Sequence, residues 1–154
     1  MRNKIFLISA VIIIFLGGVT LLYLKQKNSP QNHTPTATIN NHTFLLELAK
    51  TTQEQTRGLS YRDSLAPDHG MLFLFPKADF YEFWMKDMRF PIDILFIRDN
   101  KIVAAFENLP PMHVPDQNLP RYIPNQPANK VLEINAGLSK RYGIKKGDVI
   151  TISL

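Results

Sequence analysis

Hydrophobic and polar positions divide this chain into three stretches of different character. Residues 5–24 are apolar throughout and include no charged side chain. A helix of that length extends over ~30 Å, at about 1.5 Å per residue, which is the hydrocarbon thickness of a bilayer. Residues 26–41 lose all apolar periodicity and are dominated by Pro, Thr, Asn and Gln, a composition typical of a linker. The pattern predicts a transmembrane anchor within residues 1–25, a flexible linker over 26–41 and a globular domain over 42–154.

The alternative for the apolar stretch is a cleaved signal peptide. Such a peptide has an apolar region of usually ~7–15 residues, which ends at a small-x-small cleavage site. The stretch here is longer, and Tyr23, Leu24 and Lys25 at its end offer no such site. We therefore predict an uncleaved signal anchor in a single-pass membrane protein, which contacts the membrane through residues 5–24. The very short tail before the anchor favours a globular domain outside the cytoplasm, in the cell envelope.

Within the predicted globular domain, short apolar runs alternate with turn residues. Thr51 and Glu54 have the spacing of a capping box, which predicts a short helix directly after Thr51. Gly143 predicts the end of a second short helix over 136–142. Apolar runs predict strands over residues 44–49, 71–75, 83–85, 92–97, 102–106, 130–135 and 149–152. The predicted fold class is α+β with β dominant, a compact barrel-like sheet of about seven short strands with two short helices.

The net charge of +5 comes mainly from basic residues near the predicted anchor. Four of the 18 Lys and Arg residues, and none of the 13 Asp and Glu residues, precede residue 42. The basic excess therefore flanks the apolar stretch, as it does beside membrane segments. Nucleic acid is excluded as a partner on this ground, because phosphate binding needs clustered positive charge.

Several kinds of catalytic and metal site are excluded by the residue types themselves. The chain has no cysteine, which rules out disulfides, thiolate metal sites and cysteine nucleophiles. Its four histidines form no His-x-Glu-x-x-His pattern or close pair, and no serine lies in a Gly-x-Ser-x-Gly elbow. A Gly-rich phosphate loop is also missing. We therefore predict neither a metal nor a cofactor.

Six ordered blocks of residues resemble a known family. They cover most of the chain between residues 44 and 150. The blocks are Glu47-x-Ala49-x-Thr51-x-x-Glu54-Gln55-x-Arg57-Gly58-Leu59 with Arg62, Gly70-Met71-Leu72-Phe73-x-Phe75, Phe83-Trp84-Met85-Lys86, Pro91-Ile92-Asp93-x-x-Phe96, Val131-Leu132-Glu133-x-Asn135-Ala136-Gly137 and Gly143-Ile144-x-x-Gly147-Asp148. On these blocks the chain resembles the domain of unknown function 192 family. The resemblance implies a small bacterial or archaeal domain with a compact β-rich fold, often behind a signal or anchor segment, and it implies no agreed activity, cofactor or substrate.

Four residues are candidates for ligand binding. Arg57 and Gly58 end the first predicted helix, and Trp84 and Lys86 lie on a predicted strand. Arg supplies a planar donor fork and Trp a stacking face, so together they could frame an anionic or sugar-like ligand. The alternative is structural, with Arg57 bound to an internal carboxylate and Trp84 filling the core. The segment 108–129, which holds six prolines, is predicted to be a long loop of the kind that often carries function.

Two carboxylates lie inside otherwise apolar strands and are weaker candidates for catalysis. Asp93 follows Ile92, and Glu133 follows Leu132. A buried carboxylate must be paired or hydrogen-bonded, because desolvation otherwise raises its pKa. Such a pair at ~5–10 Å could serve as the acid and base of glycoside hydrolysis. In the alternative interpretation, both side chains lie on a polar face or bind Arg57 or backbone N–H groups.

The function that we predict from the sequence is that of an uncharacterised, membrane-anchored envelope domain. It binds a small ligand or an envelope protein and is not expected to be an enzyme. The alternative is a hydrolase that acts on an envelope carbohydrate through Asp93 and Glu133. A structural domain that is held at the membrane and assembles with another protein is a third possibility.

Overall fold

The computed structural model describes residues 34–154. The predicted anchor lies outside the described residues, so the membrane contact through residues 5–24 stays a prediction. In the described part, no helix is both long enough and apolar enough to cross a bilayer. Residues 36–39, inside the predicted linker over 26–41, form a strand. The folded domain therefore begins earlier than the apolar pattern indicated.

Seven strands and two short α-helices make up the part of the chain that the structure describes. They are β1 (Thr36–Ile39), β2 (His42–Ala49), α1 (Thr52–Arg57), β3 (His69–Asp79), β4 (Ile92–Arg98), β5 (Lys101–Leu109), β6 (Ala128–Asn135), α2 (Leu138–Tyr142) and β7 (Ile150–Ser153), with a 3-10 turn at Asp116–Asn118. The strands form one sheet in the order β5-β4-β6-β3-β2-β1-β7. All neighbours are antiparallel except β2 and β3, which are parallel and joined through α1. The predicted β-dominated fold with two short helices is confirmed.

The two edge strands of the sheet meet at one end. The Ile102 N–H donates to the Asp148 carbonyl at 3.0 Å, and the Gly147 N–H donates to the Ile102 carbonyl at 2.8 Å. Lys101 and Val149 form an antiparallel bridge at the same place. The Ile150 N–H of β7 also donates to the carbonyl of Asn100, directly before β5, at 2.9 Å. The contact between the two edges is limited to this end, so the sheet is a half-barrel.

Apolar side chains pack on both faces of this sheet. The concave face carries buried residues from all seven strands, among them Phe44, Leu72 and Leu95. The outer face is covered by loop residues such as Leu59 and Met85, which pack on the middle strands. Because β4 is covered on both faces, its first six residues are all buried. Burial on both faces of the sheet explains why the sequence of β4 is a nearly continuous apolar run.

Residues 83–85 do not form the strand that their apolar character predicts. Phe83 makes a single bridge with Tyr122, while Met85 is fully buried against the outer face of the sheet. The apolar residues of this segment therefore cover the sheet instead of extending it. The seventh strand is supplied by β1.

The capping box predicted at the start of α1 is present. Thr51 Oγ1 accepts a hydrogen bond from the Glu54 N–H at 3.2 Å, and Glu54 Oε2 accepts one from the Thr51 N–H at 2.8 Å. Glu54 Oε2 also accepts from the Lys50 N–H at 2.8 Å. The bonds from Thr51 and Lys50 hold the pKa of Glu54 below its usual range. The cap thereby fixes the start of a helix that is only six residues long.

We expect Thr51→Ala to lower the free energy of unfolding by about 1 kcal/mol, because it removes the side chain that satisfies a helix N-terminal N–H. Urea unfolding at neutral pH measures this loss. Thr52→Ala is the matched control, since Thr52 is exposed and takes no part in the cap. Equal losses in the two variants would contradict the role of Thr51.

Candidate functional site

An open groove lies between α1 with its following turn and the segment 84–87, which precedes β4. Its volume is about 690 Å³. Three of the four residues predicted to bind a ligand, Arg57, Trp84 and Lys86, line this one groove. We name it the Trp84 groove, and its lining residues are Thr52, Gln53, Thr56, Arg57, Ser60, Tyr61, Trp84, Lys86 and Asp87.

Trp84 also lines a second cavity, of about 340 Å³. Aromatic side chains dominate that cavity, and two of them, Phe75 and Tyr81, stack with ring centroids 3.7 Å apart. The guanidinium carbon of Arg121 lies 3.6 Å from the centroid of the Trp84 ring, a cation–π contact. Trp84 is only partly buried. It is therefore a surface residue at the junction of two cavities and does not fill the core.

The two predicted cationic residues differ in their partners. Arg57 is exposed, and within residues 34–154 its guanidinium group forms neither a salt bridge nor a hydrogen bond. Lys86 forms a salt bridge with Asp116 of the 3-10 turn, and this hydrogen-bonded contact raises the pKa of the Lys86 ammonium group. The described residues thus contain no internal Arg57–carboxylate bridge, and of the two cations that line the groove Arg57 is the one without an ion pair.

Three hydrogen bonds join the two walls of the Trp84 groove. Ser60 Oγ donates to the Lys86 carbonyl at 2.8 Å, and the Tyr61 N–H donates to the Asp87 carbonyl at 2.9 Å. The Tyr61 hydroxyl donates to Asp87 Oδ2 at 2.5 Å, which raises the pKa of the Tyr61 phenol. Tyr61 and Asp87 both adopt the left-handed backbone region, with φ of 66° and 55°. These bonds hold that uncommon conformation and fix the spacing of the walls.

Asp93 is completely buried, and its carboxylate binds backbone N–H groups. Oδ1 accepts from the N–H of Asn108 at 2.8 Å and of Gly137 at 3.1 Å. Oδ2 accepts from the N–H of Ser139 at 2.8 Å. Gly137 and Ser139 lie at the N-terminus of α2, where unpaired N–H groups favour an anion. Asp93 therefore ties α2 and β5 to β4, as its structural interpretation predicts.

Glu133 lies on the other face of the sheet. The register of β4 and β6 places Asp93 opposite Ile134 and Ile94 opposite Glu133. Neighbouring residues of a strand point to opposite faces. The sheet thus separates the carboxyl groups of Asp93 and Glu133, and the acid–base pair predicted for a hydrolase does not form.

The Glu133 carboxyl group is buried without a hydrogen bond at Oε2. The residue is 5% exposed, and no group in the described part of the chain donates to Oε2. Burial raises the pKa of Glu133 to about 8, and the positive charge of Arg62 opposes this only in part. Arg62 itself is bound to Glu47 by two hydrogen bonds, of 2.7 Å and 2.8 Å. Glu133 is therefore mainly protonated at neutral pH.

A metal site has no supporting cluster in residues 34–154. In that range no three His, Asp or Glu side chains lie close enough together to hold an ion. His69 Nδ1 is buried without a hydrogen-bond partner there, but it is not part of such a cluster.

Two residues of the site, Arg121 and Tyr61, were missed from the sequence. Arg121 lies in the segment 108–129, which was predicted to be a functional loop without any residue being named. The signal available was an arginine beside an aromatic residue, Tyr122, in that loop. Tyr61 gave no comparable signal, because its role depends on a contact with Asp87 that only the folded chain brings about.

The solved structures that resemble this chain in fold and sequence include two proteins. One is a protein of unknown function from Novosphingobium aromaticivorans, with 34% sequence identity and a TM-score of 0.67, covering 80% of this chain and 89% of that one. The other, a proposed transcription regulator from Sinorhizobium meliloti, has 34% identity and a TM-score of 0.65, covering 77% and 91%. No curated protein matches the chain.

The sequence also matches a family model over most of its length. The model is that of the domain of unknown function 192 family, described as "Uncharacterized ACR", and the match spans residues 35–152. The matched region includes every strand and helix described above, except for the last residue of β7, Ser153. On this match the chain belongs to the domain of unknown function 192 family.

Proposed function

We propose that this protein is a membrane-anchored binding domain that takes a small anionic ligand in the Trp84 groove and does not catalyse a reaction. The proposal is carried by Arg57, an exposed cation without a partner in the described residues, in a groove of about 690 Å³. Arginine binds carboxylate and phosphate groups through a planar donor fork, and the indole of Trp84 offers apolar contact beside it. Residues 5–24 would hold the domain at the membrane, outside the cytoplasm.

The contacts of the groove favour binding over catalysis. Ser60 is a candidate nucleophile there, but its hydroxyl donates to the Lys86 carbonyl and not to a base that would activate it. The hydrolase alternative loses its support because Asp93 and Glu133 lie on opposite faces of the sheet.

A second candidate is an envelope protein that docks at the same place. It is favoured by two exposed aromatic side chains. Tyr61 lines the groove and is 59% exposed, and Phe80, which is 52% exposed, directly precedes Tyr81 of the second cavity. Aromatic residues are enriched at the centres of protein interfaces. A docking partner would bury both rings.

We expect Arg57→Ala to weaken the binding of small aromatic acids by about 10- to 100-fold. The reason is the loss of a charge-assisted hydrogen bond, which contributes ~1.5–3 kcal/mol. Calorimetric titration of the full-length chain with 3-phenylpropionate and with phenyl phosphate measures the change. Trp84→Ala should weaken both as well, through lost apolar contact.

Arg98→Ala is the matched control, since Arg98 is an exposed arginine at the end of β4 and does not line the groove. It should leave both affinities unchanged. Equal effects of Arg57→Ala and Arg98→Ala would show that the acids respond to net charge and not to the groove.

A further inference from the structure

Glu133 has a buried oxygen atom whose hydrogen-bonding capacity is unused. Among residues 34–154 no N–H or O–H group donates to Oε2. Buried polar atoms are almost always hydrogen-bonded, and an exception calls for an explanation. Asp93 shows the contrast within the same fold, because three backbone N–H groups of the chain satisfy its carboxylate. The carboxyl group of Glu133 is thus left to interact with something that the described chain does not supply.

A small cavity lies against this carboxyl group and adjoins the Trp84 groove. Its volume is about 30 Å³, enough for one or two groups of the size of a water molecule. It shares Arg57, Ser60 and Trp84 with the groove. The other lining residues include the aromatic rings of Phe73 and Phe83. A compact group that projects from a ligand in the groove would therefore meet Glu133.

Gly58 keeps the space beside the carboxyl group open. Its backbone has φ of +49°, in the region that favours glycine. A Cβ atom at this position would lie 3.3 Å from Phe73 Cζ and 4.0 Å from Glu133 Oε2. Any larger residue would therefore be strained and would reduce the cavity. Gly58 was predicted to be a ligand-binding residue. It contributes to the cavity because it has no side chain that would fill the space beside Glu133.

The Glu133 oxygen and the aromatic lining determine which ligand group this cavity can bind. A carboxyl oxygen that accepts no hydrogen bond can bind an N–H or O–H donor. A primary ammonium group is such a donor, and it is about the size of a water molecule and carries a full positive charge. The faces of Phe and Trp rings also attract cations. We propose that the cavity over Glu133 is an ammonium subsite of the Trp84 groove, so that the ligand is a small zwitterion with an amino group on Glu133 and an acidic group on Arg57. This rests on the proposed function, which assigns the acidic group to Arg57.

Binding of an ammonium group at this subsite is linked to a proton. Among the described residues, the positive charge of Arg62 acts on Glu133, and Arg57 lines the same cavity. Glu47 on β2 lies on the same face as Glu133 and is bound to Arg62. The neighbours of Glu133 on β3 and β4, Met71 and Ile94, are apolar. With its pKa raised to about 8, Glu133 is protonated in the free protein below that pH. An ammonium group stabilises the charged carboxylate form of Glu133. Binding therefore lowers the pKa of Glu133, which releases its proton. Affinity therefore rises with pH up to about 8, until the ligand's own ammonium group deprotonates.

Three probes that differ by one group test the subsite. They are L-phenylalanine, 3-phenylpropionate, which lacks the amino group, and 2-phenylethylamine, which lacks the carboxylate. Calorimetric titrations of the full-length chain would compare wild type, Glu133→Gln and Arg57→Ala at pH 6 and pH 8.5, in two buffers of different ionisation enthalpy. Gln keeps the size of Glu133 and removes its charge.

For wild type we expect L-phenylalanine to bind roughly tenfold or more tightly at pH 8.5 than at pH 6, with proton release at pH 6. Glu133→Gln should weaken the two amine probes by roughly tenfold and abolish their pH dependence, while 3-phenylpropionate binds as before. If Glu133→Gln leaves L-phenylalanine unaffected while Arg57→Ala weakens 3-phenylpropionate, the ammonium subsite is overturned and the proposed function stands. If the amine probes depend on Glu133 and no probe depends on Arg57, the subsite stands and the acid-binding half is overturned. Failure of all three probes to bind overturns both.

Discussion

Asp93→Ala should lower the free energy of unfolding by about 3–5 kcal/mol. The substitution leaves the N–H groups of Asn108, Gly137 and Ser139 without their acceptor. Each unsatisfied buried donor costs ~1–3 kcal/mol, and the partly buried ones regain some of this from water. The loss also detaches the N-terminus of α2 from β4. Urea unfolding followed by circular dichroism measures the change.

Two further variants locate the effect in the hydrogen bonds of Asp93. Asp93→Asn keeps an oxygen for Asn108 and Gly137 but turns an amide N–H toward the Ser139 N–H, so it should have an intermediate effect. Asp63→Ala is the control, because Asp63 forms an exposed ion pair with Arg89 and such pairs contribute ~0–1 kcal/mol. A loss at Asp93 no larger than the loss at Asp63 would refute the structural role.

The stability of the domain should fall as the pH rises from about 4.5 to 8, and Glu133 is the cause. Its folded-state pKa of about 8 lies above the ordinary value of 4.5, so the folded state binds more protons than the unfolded state between these values. The stability contributed by protonated Glu133 is complete below about pH 4.5 and is lost as the pH rises through 8. Each pKa unit corresponds to ~1.36 kcal/mol, which gives an upper bound of about 5 kcal/mol.

Glu133→Gln removes the titrating group and should flatten the pH profile. Urea unfolding of wild type and variant from pH 4.5 to 9 measures both slopes. The carboxylates with a lowered pKa, among them Glu47 and Glu54, titrate below this window and act with the opposite sign. Parallel profiles of the two proteins would mean that Glu133 does not titrate in this range.

Local chemistry made much of the fold predictable from the sequence. The capping box at Thr51 and the glycine end of α2 at Gly143 depend on residues within one turn of each other, and both are present. The strands β4 and β5 were also predicted, because each is an apolar run and Asp99 and Asn100 between them are turn residues. In the structure Asp99 adopts a positive φ, as tight turns require.

Non-local pairing was not predictable in the same way. β1 is only four residues long, Thr-Ala-Thr-Ile, and borders a polar stretch rich in Pro and Asn. It is a strand because β2 and β7 pair with it on both sides. Conversely, residues 83–85 are apolar because they cover the sheet, and periodicity alone does not separate the two cases. Tertiary context outweighs intrinsic preference in both segments.

In the candidate site too, some features could be predicted from residue type, and others depend on non-local pairing. Arg57, Trp84 and Lys86 were identified by residue type, and the structure places them in one groove. Asp93 and Glu133 lie on opposite faces of the sheet because β4 and β6 pair with a one-residue offset between these two positions. Such a register is set by the whole sheet and leaves no trace in the local sequence.

The position of β1 between β2 and β7 has a consequence for how the domain folds. β1 and β2 are joined by a short turn and can pair early, whereas the pairing of Thr36 with Ser153 joins opposite ends of the described chain. Closing such a long loop makes a β-rich topology slow to form, typically in milliseconds to seconds. Until β7 arrives, one side of β1 is an open sheet edge. That interval is when the nascent domain is most exposed to edge-to-edge association with other chains.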